Sequence, residues 1–149
     1  YNTRAFLDEY AARRAALRVT ADQLREMEAL LVEMDRAENP HDFVEKDIAF
    51  HAMVVDAAGS PALKKVWDSL RLVEWTGLSV AVTRNTLPEL AKQHWRIFRL
   101  LERHADHTAG AYMFLHIKNF GDELKQHYQE MNGNILPLPG SAVEKERTT

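Results

Sequence analysis

Apolar residues recur every three or four positions along most of the chain, the spacing of a helix with one buried face. No segment alternates with the period of two that a half-buried strand requires. Punctuation divides the pattern into about six helices. Asn2 or Thr3 opens the first, which carries Phe6, Leu7, Tyr10, Ala11, Arg14 and Leu17. Thr20 and Gln23 form a capping box for the second, in which hydroxyl and amide each satisfy an orphan backbone N–H. Asn39 followed by Pro40 reads as N-cap and first helical position of the third, which Gly59 ends near Ala58. Ser60 and Pro61 repeat that signal for a fourth helix, read as continuous from Leu63 to Val82. Thr86 and Glu89 box the fifth, and Asp106 caps a sixth that fades near Met131. These elements predict an all-α antiparallel bundle with short connections, spanning residues 1–131. Residues 132–149, with two glycines, two prolines and the charged end VEKERTT, read as an irregular tail.

Four residues interrupt the apolar stripes with side chains of the metal-ligand type. Asp47 and His51 are four apart in DIAFH, so a helix places both on one face, one turn apart. His94 and His116 are related through the turn near residue 105, each about eleven residues from it. At about 1.5 Å per residue both stand about 16 Å from the turn and face each other across an antiparallel hairpin. A lone histidine in a stripe is usually a satisfied core residue. A carboxylate on a buried stripe costs several kcal/mol unless it is paired or coordinated, and here three imidazoles converge on it. One carboxylate and three imidazoles in a bundle core predict a divalent-metal site for zinc, nickel or manganese. His41, His104, His107 and His127 lack this geometry and read as surface or capping residues.

Composition narrows the chemistry. At 149 residues, with 46% hydrophobic and 28% charged residues, the chain is long enough for one domain with its own core. With no cysteine, any metal is held by nitrogen and oxygen. A net charge of -3 with no basic block argues against nucleic-acid binding by these residues themselves. No apolar run reaches a membrane span and no charged-then-apolar leader opens the chain, so a cytoplasmic setting with no membrane partner is expected. A helical pattern that starts within a few residues of Tyr1, without an initiating methionine, suggests a piece of a longer protein.

The order Asp47-x3-His51, the boundary AAGSPAL, then QHWRIFRLLE, Asp106 and His116 resembles the FCD effector domain of the FadR subfamily of GntR-type bacterial transcription regulators. TRAFLDEYAARRAA followed by TADQLREMEALLVEM is similar to the first two helices of that family, so the resemblance covers about residues 1–130. It implies that Asp47, His51, His94 and His116 are the metal ligands and that Arg4 faces the effector cavity. Three positions depart from the family pattern: Ser60 for asparagine, Gln93 for the glutamate before the histidine, and Thr3 for an acidic residue before Arg4. The last two alter the charge expected around the pocket. The resemblance also implies a homodimer and operator DNA bound through an N-terminal winged helix-turn-helix, which is absent from this chain.

Four protein donors leave one or two positions open on a metal that accepts five or six ligands. Small organic acids could fill those positions, and the resemblance then implies a sensor domain, with no enzymatic activity, that binds a metal and such an acid and so modulates DNA binding. Arg4 would supply a forked contact to the acid and Asn119, near His116, a further polar one. Arg71, Trp75 and Arg84 would shape a wall. The alternative is a metal-dependent hydrolase-like enzyme, for which Glu45 and Glu74 are the available bases although neither is directed at the metal by spacing.

Overall fold

In a computed structural model, residues 2–70 and 72–131 are described, and among them every regular element is a helix. The seven helices are α1 (Asn2–Arg18), α2 (Ala21–Asp35), α3 (Pro40–Ala57), α4 (Pro61–Asp68), α5 (Leu72–Val82), α6 (Leu87–Glu102) and α7 (Asp106–Met131). The tail expected at 132–149 and the wall residue Arg71 lie outside the described residues. Among the described residues, no helix is long and apolar enough to cross a membrane.

Four of the expected caps form as their residue types dictate, whereas Asp106 lies within the first turn of α7. Thr20 and Thr86 each close a capping box, with Gln23 and Glu89 returning the bond to the backbone. Asn39 and Ser60 accept from Asp42 N and Leu63 N, each ahead of a proline whose missing N–H costs nothing in a first turn. Gly59 adopts φ 64°, the left-handed conformation that ends α3. A side chain there would also meet the Arg18 guanidinium at 2.7 Å.

The single helix expected from 61 to 82 is instead two. Ser69 turns its hydroxyl back onto the Val66 carbonyl at 2.6 Å, and Ser69 N and Leu70 N bond three residues back rather than four. This local competition ends α4 after two turns. The break has a packing consequence: α4 lies on α1 and α3, whereas α5 lies across α3 and α7.

A second feature is which face of α1 is buried. Phe6, Tyr10 and Leu17 are exposed, while Ala5, Ala11, Ala12, Ala15 and Ala16 are buried. The small face allows α1 to run close along α7, its most extensive neighbour. At Gly110 of α7 a Cβ would approach Arg13 Cγ of α1 to 2.3 Å. Arg4 and Asp8 belong to the same buried face. The remaining core is built from Met27, Leu31 and Met34 of α2, Phe43, Phe50 and Val54 of α3, and Leu90, Ile97 and Leu101 of α6. Each such side chain contributes roughly 1.5–3 kcal/mol by leaving water.

Candidate metal centre

The helices bring all four stripe-breaking residues to one point. One ligand atom from each of Asp47, His51, His94 and His116 lies within 4.8 Å of the others, and all four residues are buried. Asp47 and His51 come from consecutive turns of α3. His94 and His116 meet across the α6–α7 hairpin, with ring centroids 4.8 Å apart. His104 makes that hairpin tight. It adopts φ 54° in the connection, and its Nδ1 donates to the Ala16 carbonyl at 2.7 Å, fixing the turn against α1. Phe43 and Phe50 meet His94 edge-on, and the rings of His51 and His116 stack at 5.4 Å.

The hydrogen bonds around the cluster fix where its lone pairs point. His94 Nδ1 lies 2.9 Å from the Leu90 carbonyl, which only accepts, so Nδ1 carries the proton. His94 Nε2 is then a bare lone pair, 2.9 Å from Asp47 Oδ1 without hydrogen-bond geometry. Two acceptors at that distance repel unless a cation or a second proton lies between them. His116 Nδ1 lies 2.8 Å from Gln93 Oε1 and donates to it, directing Nε2 toward the cluster. Both nitrogens of His51 are buried with no hydrogen-bond partner. A buried polar atom left unpaired costs about 1–3 kcal/mol. Outer N–H groups held by a carbonyl and an amide oxygen, with inner nitrogens left bare, are the arrangement by which proteins orient histidine ligands. The donor set therefore fits a divalent ion, by chemistry as well as by proximity.

Electrostatics sharpen the same picture. Burial alone would raise the Asp47 carboxyl, but its contact with His94 and the positive charge of Arg4 hold it well below the usual carboxylate range. Burial, opposed by Asp47 and reinforced by Arg4 and His94, lowers His51 well below the ordinary imidazole value. His116 is lowered in the same way, by burial first and then by His94 and His51. In the metal-free domain these two histidines bind protons less readily folded than unfolded, so the unfolded chain gains protons as pH falls. Their contribution to stability is complete above about pH 6.5 and is lost as pH falls toward their folded values. Asp47 adds a loss of the same sign only below about pH 4. The melting temperature of metal-stripped protein should thus be level above pH 7 and fall between pH 6.5 and 5. A level curve through that interval in the wild type would contradict the buried, neutral state of His51 and His116.

Beside the cluster lies a cavity of about 10 Å³, lined by Arg4, Thr76, Ser79, Val80, Ile117 and Phe120 together with Asp47, His51 and His116. That is room for about one water molecule. Arg4 is held from two sides: Nε bonds Asp8 Oδ2 at 3.0 Å, and Nη1 bonds Thr76 Oγ1 at 3.2 Å. Its Nη2 is buried and has no partner. Asp8 also accepts from Trp67 Nε1 at 2.8 Å, so the Arg4–Asp8 pair ties α1 to α4 through the carboxylate and to α5 through the guanidinium. Burial raises the Asp8 carboxyl against the opposing influence of Arg4 and Trp67.

Arg4 thus lines the cavity beside the cluster with one nitrogen left unpaired. Asn119 is exposed on α7 and does not line the cavity; Thr76 and Ser79 of α5 are the polar groups that do. Glu45 and Glu74, considered as catalytic bases, are both exposed and likewise absent from its walls. Asp8, Trp67, Thr76 and Ser79 were not singled out by the sequence. Only Asp8 carried a signal, its four-residue spacing from Arg4. Over residues 1–119 the sequence matches the family described as FCD domain. Comparison with curated proteins finds no match.

Proposed function

From the premise that the chain belongs to the FCD domain family, we propose that it is the ligand-sensing domain of a bacterial transcription regulator of the GntR type, FadR subfamily. It binds a divalent metal and a small carboxylic acid, and thereby modulates DNA binding by a winged helix-turn-helix elsewhere in the parent protein. The observation that carries this reading is the buried Asp47–His51–His94–His116 cluster, with bare nitrogens facing inward, next to a buried arginine with an unpaired nitrogen. Asp47 Oδ1 and the three imidazoles would hold zinc, nickel or manganese. Bound there, a divalent ion supplies positive charge and open positions for a carboxylate oxygen.

The protein's own part is to orient and to neutralise. Leu90 and Gln93 fix the tautomers of His94 and His116, so the inward nitrogens of these two rings keep their lone pairs for a metal. Asp8 and Thr76 aim the Arg4 guanidinium, whose Nη2 remains available for an acid. Val80, Ile117 and Phe120 exclude water, which strengthens any charge-assisted contact made inside. The reading includes a homodimer in a cytoplasmic setting. It is supported by the outward row of Phe6, Tyr10 and Leu17 on α1, an apolar face suited to a second copy.

The test is thermal. A carboxylate such as lactate or gluconate at a hundredfold excess over its dissociation constant should stabilise metal-loaded protein by about 2.7 kcal/mol. For a domain of this size that raises the melting temperature by roughly 5–10 °C. Metal-stripped protein should respond little, and neutral sugars should not act on either form. Arg4→Lys keeps the charge and loses the fork, so calorimetry should find the acid weakened about tenfold or more with metal content unchanged. An unmoved melting curve across a broad acid panel would refute the assignment.

A further inference from the structure

The cavity at the cluster has room for about one water, enough for a carboxylate oxygen but not for the body of an organic acid. A second cavity, of about 220 Å³, also has this arginine in its wall and is lined by Thr3, Arg4, Leu70, Leu72 and Trp75. For scale, an apolar cavity of about 150 Å³ in a protein core holds a benzene ring. Among the described residues three of its five lining side chains, Leu70, Leu72 and Trp75, are apolar, beside the Thr3 hydroxyl and the Arg4 guanidinium. The apolar three offer flat and branched hydrocarbon surface. Arg4 is the one residue common to both cavities, and its buried Nη2 has no protein partner.

We infer that the second cavity is a subsite for the apolar body of the effector, whose acid group is held at Arg4. The effector class is then an aryl- or branched-alkyl-substituted carboxylate, with a 2-hydroxy acid as its polar end. The inference rests on the reading of the cluster and Arg4 as an acid-binding site. It adds which part of the molecule lies on Leu72 and Trp75.

Lactate and 3-phenyllactate differ only by a phenyl group, so they divide the two questions. Calorimetric titration of the zinc-loaded chain should give phenyllactate an affinity at least about tenfold above that of lactate, the gain expected for burying a ring. Trp75 is half exposed, so its truncation spares the core. Trp75→Ala should remove most of the phenyllactate advantage and leave lactate unchanged. 3-Phenylpropanol, which keeps the ring and lacks the carboxylate, should bind far more weakly than phenyllactate. If lactate binds and phenyllactate gains nothing, the subsite is wrong and the acid site stands. A gain that survives Trp75→Ala, or equal binding of phenylpropanol, places the ring elsewhere and also overturns the subsite. Binding of neither acid to zinc-loaded protein overturns both readings.

Discussion

Asp8→Ala should cost the domain about 3–5 kcal/mol, because it leaves the Arg4 guanidinium buried without its counter-charge. It also strips the Trp67 indole of its acceptor. Against a total stability of about 5–15 kcal/mol for a typical domain, that loss is large. Two features predict such a cost at a residue outside the metal cluster. The Arg4–Asp8 pair is almost wholly inaccessible to water, with side-chain exposures of 7% and 1%. It also joins three helices, α1, α4 and α5. Asp8→Asn keeps an acceptor for one of the two donors and should cost less. Replacing both partners, as in Arg4→Met with Asp8→Leu, should recover much of the loss, since no charge is then stranded. Urea unfolding of the four proteins checks the ordering. A single-variant loss below about 1 kcal/mol would mean that the pair contributes no more than an exposed one.

His94→Ala or His116→Ala should weaken metal binding by more than about a hundredfold, because removing even an outer partner of a ligand histidine typically costs 10–100-fold. Helix content should stay near that of the wild type, since the caps and most of the core lie away from the cluster. The two variants should differ in metal-free stability. His94 is fully buried between Phe43 and Phe50, whereas His116 lies at the cavity edge against Phe120. His94→Ala therefore leaves the larger void and the lower melting temperature. Metal titration followed by competition with a chelator measures the affinities. Binding by either variant as tight as that of the wild type would remove that residue from the ligand set.

Much of this site could be read from the sequence because each of its constraints is local or nearly so. Helical spacing alone aligns Asp47 with His51. Equal distance from one tight turn aligns His94 with His116, and the turn falls between Glu102 and Asp106 as the punctuation suggested. The caps at Thr20, Asn39, Ser60 and Thr86 were legible for the same reason, since a cap is settled within four residues. What escaped depends on partners far along the chain. The large residues of α1 did not show which face turns inward; close approach of α7 selects the alanine face and turns the aromatics out. Asp8 then follows Arg4 inward, 59 residues from the indole that binds it. The end of α4 depends on one serine hydroxyl folding back onto its own helix, a choice that propensity barely distinguishes from continuation. That break frees α5 to bring Thr76 and Ser79 over the cluster, where Asn119 had been expected to serve.

The most direct test of the account is the metal itself. Purified protein, reconstituted with zinc, nickel or manganese and dialysed against metal-free buffer at pH 7.5, should retain about one equivalent by elemental analysis. In crystals of the same protein, anomalous scattering at the metal edge should give one peak within coordination distance of Asp47, His51, His94 and His116. Reconstituted protein that keeps no metal, or a peak bound anywhere else in the chain, would contradict it.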